Sequence, residues 1–266
     1  MTQLRETGYN GRMISPFPSG LSAGAARRQA GALLVLFYIL VYGGGILFGG
    51  RHDRLAMPIL SALILGSVML LVTALFVRGD ASWRESLALG RQPVGPVLGW
   101  SLLGFVGTYV VNLLLISLYL STQGNLEAIA AHRATWLGKL AEVPTETILP
   151  LATFAAVWEE TVFRGFLLGR LRASFPVQDS RGAALRRDVA AVVLTALFFG
   201  AGHGYQGALG LLQTTVAGLA LGTLAVWRKS LWPAIGAHLA IDAFGLVALK
   251  VLKPMLDTVI SQATRG

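Results

Sequence analysis

The chain has 266 residues, of which 54% are hydrophobic and only 13% charged, whereas a soluble domain usually carries about 25% charged residues. It contains no cysteine, which excludes disulfides, thiolate metal sites and a cysteine nucleophile. The net charge is +9, but no basic stretch is interleaved with aromatic residues, so we expect no nucleic-acid partner. The basic residues lie between apolar blocks, which indicates membrane lipid as their partner.

Residues 1–30 are polar and rich in Gly, Ser, Pro and Arg, and we expect them to form a cytoplasmic N-terminal tail. A single transmembrane helical domain is predicted over 31–266, because long apolar blocks match the thickness of the bilayer hydrocarbon. The apolar segments run approximately over 31–50, 57–77, 94–120, 147–171, 189–203, 207–227 and 231–250. An eighth span within 121–146 stays open, although Glu127, His132, Arg133, Lys139 and Glu142 argue against it. The predicted fold is therefore an all-α polytopic bundle of about seven to eight membrane helices.

The orientation follows from Lys and Arg in the connections between the segments. With the N-terminus inside, the inside connections hold about twice as many basic residues as the outside ones. We therefore expect an integral, multi-pass membrane protein with a cytoplasmic N-terminus, located in the cell membrane if the source is bacterial. Gly218 and Gly222 form a small-xxx-small pair, which predicts close helix packing in the sixth segment.

Six ionisable residues fall inside the apolar segments, all of them in the C-terminal half of the chain. Each costs roughly 3 kcal/mol at the bilayer centre on insertion scales, so such residues are rarely kept without a role or a partner. They are Glu159, Glu160, Arg164, His203, His238 and Asp242. We interpret this cluster as a functional site.

The spacing of the six residues divides them into faces. Glu160 and Arg164 are four residues apart, so they share a helix face and can form an ion pair. Glu159 points about 100° away from Glu160 on a regular helix and can face something else. His238 and Asp242 are also four apart and face one way.

These residue types suit the activation of a water molecule. A carboxylate in an apolar site can act as a general base, and a neutral imidazole beside it can help to hold the same water. A second imidazole and a carboxyl group could donate hydrogen bonds to a developing oxyanion.

Three short motifs carry a family resemblance. Residues 159–164 (EETVFR) resemble the EExxxR motif of the CAAX-prenyl-endopeptidase and bacteriocin-processing family of intramembrane proteases, the Rce1-like, Abi or CPBP family. Residues 199–203 (FGAGH) resemble its FxxxH motif, and residues 238–242 (HLAID) resemble its HxxxN or HxxxD motif. The resemblance covers roughly residues 90–245, with a catalytic core at about 147–250.

The resemblance implies a function and a role for each residue. The chain would be an intramembrane endopeptidase of the glutamate type, with Glu159 as the base acting on water and His203 assisting. Glu160 and Arg164 would support that base, while His238 and Asp242 would form the oxyanion site. Eukaryotic prenyl-protein members have Asn at the position of Asp242. An ionised Asp would repel an oxyanion, so Asp242 is either protonated or orients His238.

Partners and alternatives follow from the same residues. The expected substrate is a peptide or protein, with lipid-modified substrates included. Glu159, His203 and His238 are borderline zinc ligands, but a glutamate base needs no metal, so we expect no cofactor and leave zinc open. Two other classes stay open: a proton-coupled transporter that uses the buried Glu, His and Asp residues, and a non-catalytic scaffold or immunity-type protein.

Overall fold

The computed structural model describes residues 21–48, 56–122, 138, 140–175 and 180–263. Within these ranges the regular structure is helical throughout, which confirms the predicted all-α fold. Residues 1–20 of the predicted tail lie outside the described part, as does most of the open eighth span in 121–146. The division into a tail and one transmembrane domain stays a prediction.

The helices follow the predicted segments in chain order. Before the connection at 123–137 come α1 (Ala23–Phe48), α2 (Ala56–Val77), the short α3 (Trp83–Ser86) and α4 (Val94–Ser121). After it come α5 (Thr145–Glu159), a π-helix (Glu160–Leu167), α6 (Leu168–Ser174), α7 (Arg181–Gly202), a 3₁₀ turn (Gly204–Gln206), α8 (Gly207–Arg228) and α9 (Trp232–Ala263).

Five helical stretches in the described part of the chain are long and apolar enough to cross a membrane. They are Ala23–Gly43, Ile59–Val77, Val94–Ser121, Gly204–Arg228 and Trp232–Met255. Their outer faces expose many large apolar side chains, as lipid contact requires. The chain is therefore an integral membrane protein.

The other two predicted segments are helical but carry charge. The segment predicted at 147–171 is divided among α5, the π-helix and α6. The segment predicted at 189–203 begins earlier, at Arg181, where the Ser180 hydroxyl accepts a hydrogen bond from the Ala183 amide and caps the helix. Its first two turns contain three arginines and an aspartate, so a search for apolar segments does not detect them.

Contacts between connections define two ends of the bundle. At the first end, Arg170 after the π-helix pairs with Asp80 after α2 at 2.8 Å, and the Leu231 amide donates to the Ala88 carbonyl at 2.9 Å. At the other end, the Lys250 ammonium donates to the Ala141 carbonyl. Which of the two ends faces the cytoplasm stays a prediction.

Helices α7 and α8 pack closely through small residues. A Cβ built on Gly218 would meet Cα of Ala196 at 3.0 Å, and one on Gly222 would meet Val192 at 3.2 Å. The predicted small-xxx-small pair therefore lies at a helix interface, because only a hydrogen at these positions lets the two backbones approach.

The largest apolar cluster surrounds the π-helix. It includes Phe37 of α1, Met69 of α2, Phe163 and Phe166 of the π-helix, and Phe199 of α7. Phe163 lies edge-on to both Phe37 and Phe199, with ring centroids 5.2 and 5.1 Å apart. This packing fixes the π-helix, which carries Glu160 and directly follows Glu159, at the centre of the fold.

Candidate functional site

The π-helix begins directly after Glu159 and buries each of its eight residues. At its end the Leu168 amide donates to the Phe163 carbonyl, five residues earlier, instead of four as in an α-helix. The wider turn changes the angle between successive side chains from the 100° of a regular helix. Such π segments are frequent at functional sites.

Glu160 lies at the centre of the site and is completely buried. Its Oε1 atom accepts a hydrogen bond from Nη1 of Arg164 at 2.8 Å, so the predicted ion pair is present. The same oxygen accepts a second bond, from Nδ1 of His238, at 2.7 Å. Two donors on one oxygen hold this carboxylate in a fixed orientation.

His238 connects Glu160 to the two more accessible carboxylates. With Nδ1 donating to Glu160, its Nε2 atom points towards the other side of the ring, 3.9 Å from Oε2 of Glu159 and 3.5 Å from Oδ2 of Asp242. The side chain of Glu159 is 13% exposed and that of Asp242 is 30% exposed, whereas Glu160 is shielded completely. The site therefore consists of a buried support, formed by Glu160 and Arg164, and two partly exposed carboxylates, Glu159 and Asp242.

His203 lies immediately after the last residue of α7. Its Nδ1 atom is 2.8 Å from the Phe199 carbonyl oxygen, and because a carbonyl can only accept, Nδ1 carries the proton. Nε2 of the neutral ring is then left as an acceptor. The described contacts of His203 are with Phe199 and Tyr205 and not with Glu159 directly.

Phe199 joins His203 to the rest of the cluster. Its ring centroid is 4.6 Å from that of His203 and 6.3 Å from that of His238. The Arg164 guanidinium lies over the same ring at 4.1 Å, a cation–π contact. Phe199 is buried and contacts three of the predicted site residues.

Some polar atoms of the buried support lack a hydrogen-bond partner within the part of the chain that the structure describes. They are Oε2 of Glu160 and Nε and Nη2 of Arg164. The cation–π contact with Phe199 offsets part of this cost for the guanidinium. Within the described ranges of the chain, no group of three or more His, Asp and Glu side chains could hold a metal ion.

Sequence reasoning missed two polar features. The first is the bond between Glu160 and His238, which are 78 residues apart and share no local pattern. The second is Arg170, which the orientation argument treated only as one of the basic residues in an inside connection. Its side chain is in fact buried and donates hydrogen bonds to Asp80 and Gln29. The one available signal was its four-residue spacing from Phe166, over whose ring the guanidinium lies.

Comparison with known protein families places a match over this site. The family model described as Type II CAAX prenyl endopeptidase Rce1-like matches residues 143–244. The resemblance predicted from the three motifs is thereby confirmed for this Rce1-like segment, which contains all six predicted site residues. Comparison with curated proteins and with solved structures gave no match. Helices α1, α2 and α4 precede the matched segment.

Proposed function

We propose that this chain is an intramembrane endopeptidase of the CAAX-protease type, in which Glu159 activates a water molecule. The observation that carries the proposal is the arrangement around Glu160. Its buried carboxylate is held by Arg164 and His238, so that Glu159, the neighbouring residue, is left accessible and faces Nε2 of His238. The match of residues 143–244 to an endopeptidase family supports the same reaction class.

Glu159 is the general base in this proposal. Its carboxylate takes a proton from water as the water oxygen attacks the carbonyl carbon of the scissile peptide bond. The same carboxyl group then gives that proton to the leaving amine when the C–N bond breaks. His203 assists, because its Nε2 lone pair can accept a hydrogen bond from the water while Nδ1 stays bound to Phe199.

His238 stabilises the oxyanion that forms on the carbonyl oxygen. In the imidazolium form, Nδ1 donates to Glu160 and Nε2 carries a second proton that can be donated to the oxyanion. Asp242 lies 3.5 Å from Nε2 and orients the ring, or donates a hydrogen bond itself when protonated. Glu160 and Arg164 are positioning residues, since neither side chain is accessible to a substrate.

The substrate in this proposal is a peptide or protein segment within the membrane, lipid-modified proteins included. A glutamate base accounts for the hydrolysis without a resident metal. Orientation is part of the proposal as well, with a cytoplasmic N-terminus in a multi-pass chain.

Cleavage of a peptide library by the full chain in detergent tests the proposal. We expect wild type to cleave, and Glu159→Gln to lower kcat about a hundredfold or more, because the general base is removed while size is kept. Glu146→Gln is the matched control, since Glu146 is an exposed carboxylate in the first turn of the same helix. Lack of cleavage by wild type, or equal cleavage by Glu159→Gln, would contradict the proposal and leave the transporter and scaffold classes.

A further inference from the structure

The end of α7 needs hydrogen-bond donors. The last four carbonyl groups of an α-helix have no partner within the helix and must find donors elsewhere. In α7 these carbonyls lie beside His203, so whatever binds them also fixes the backbone from which the imidazole extends.

Three side chains bind carbonyls in this last turn or directly before it. His203 itself donates from Nδ1 to the Phe199 carbonyl. The Tyr38 hydroxyl donates to the Phe198 carbonyl at 2.7 Å, and the Tyr42 hydroxyl donates to the Ala201 carbonyl at 2.5 Å. Both tyrosines come from α1, about 160 residues away in sequence and outside the Rce1-like segment.

The contact between α1 and this turn leaves no space for further side chains. A Cβ on Gly202 would lie 2.7 Å from the ring of Phe37, and one on Gly204 would lie 3.2 Å from the Tyr42 hydroxyl oxygen. The rings of Tyr38 and Tyr42 stack on each other with centroids 5.9 Å apart, so the two hydroxyls are held as a unit. The fit is close on both sides of His203.

We propose that Tyr38 and Tyr42 are positioning residues that set the tautomer and direction of the His203 imidazole. While the last turn is fixed, the Phe199 carbonyl stays opposite Nδ1, and Nε2 remains free to accept. Without the hydroxyls, the carbonyls at 198 and 201 lose the side-chain donors that tie them to α1, and the turn loosens. His203 then samples both tautomers. The catalytic consequence rests on the proposed function, whereas the effect on the imidazole does not.

Nitrogen NMR of the full chain, labelled with ¹⁵N-histidine, reads the imidazole directly. The chain has four histidines, so single His→Gln variants assign the signals. In wild type we expect His203 to show one tautomer, with Nδ1 protonated and Nε2 unprotonated. In the Tyr38→Phe/Tyr42→Phe double variant we expect averaged or doubled ring-nitrogen signals.

Tyr119→Phe is the control, because it removes one tyrosine hydroxyl from α4, a different helix from α1 and α7. Tyr42→Phe alone serves as a milder variant if the double variant does not fold. With a cleavable peptide, kcat of the double variant should fall about tenfold to a hundredfold while KM changes little, since a misplaced group slows the reaction step. Wild-type ring-nitrogen signals and wild-type kcat in the double variant would overturn the inference.

The two proposals fail separately. If wild type cleaves no peptide but the double variant changes the His203 tautomer, the positioning role stands and the protease proposal falls. If wild type cleaves and the tautomer is unaffected, the reverse holds.

Discussion

Glu160 is the residue on which the arrangement of the site depends. It is a fully buried carboxylate whose Oε1 atom binds both Arg164 and His238. Removing one partner from a buried ion pair is more costly than exchanging both partners for apolar groups, because the remaining charge stays desolvated. The pair is therefore both a structural feature of the membrane interior and the support that orients His238.

Arg164→Met should lower the free energy of unfolding by about 3 kcal/mol or more, because it leaves the Glu160 carboxylate buried beside His238 alone. Titration with SDS in mixed micelles measures this. Lys253→Met is the matched control, as Lys253 forms the same i,i+4 ion pair with Asp257 but on an exposed surface, where such a pair is worth under about 1 kcal/mol. Equal losses in both variants would mean that burial does not set the cost.

At the scale of helices, the site depends on how α7 and α8 approach each other. Gly200 lies in the last turn of α7, just before His203. A Cβ there would collide with the Thr215 hydroxyl and would lie 3.0 Å from the Leu211 carbonyl oxygen. The hydroxyl cannot easily move aside, because it is hydrogen-bonded to that carbonyl at 2.8 Å.

Gly200→Ala should therefore destabilise the chain by about 2 kcal/mol through overpacking. Gly99→Ala in α4 should be neutral or stabilising by up to about 1 kcal/mol, because a Cβ there meets no atom within 4 Å and Ala favours a helix. Thermal unfolding of the two variants in the same detergent compares them. The prediction is wrong if Gly200→Ala is as stable as Gly99→Ala.

At the scale of the whole molecule, the predicted inside connections meet at one end of the bundle. Arg170 binds both Gln29 near the start of α1 and Asp80 after α2, and the connection before α9 binds the one before α4. Lys250 of α9, which binds the Ala141 carbonyl, lies at the opposite end. Because Lys and Arg are in excess at the first end, we propose that this end faces the cytoplasm.

Single-cysteine labelling tests that orientation without background, since the chain has no cysteine of its own. We expect Arg186→Cys, near the start of α7, to react with a membrane-impermeant maleimide only after the membrane is opened. Asp257→Cys, near the end of α9, should react in intact cells. Both positions are exposed. The opposite pattern would invert the topology.

The sequence by itself determined the features that depend on local spacing or on composition. Long apolar blocks gave the all-α membrane fold, and four-residue spacing gave the Glu160–Arg164 pair and the common face of His238 and Asp242. Motif order gave the family resemblance later matched over 143–244. Catalytic roles, the tail and the domain boundary stay predictions.

Only the tertiary structure decided the rest. The Glu160–His238 bond and the binding of the α7 carbonyls by α1 had no periodic signature. The π-helix was not predicted either, because apolar spacing assumes the period of a regular α-helix. Its wider turns are held in place by packing against α1, α2 and α7. The physical reason is common to all three: apolar spacing reports which face of a helix is buried, whereas hydrogen-bond partners and packing contacts are set by which helices become neighbours.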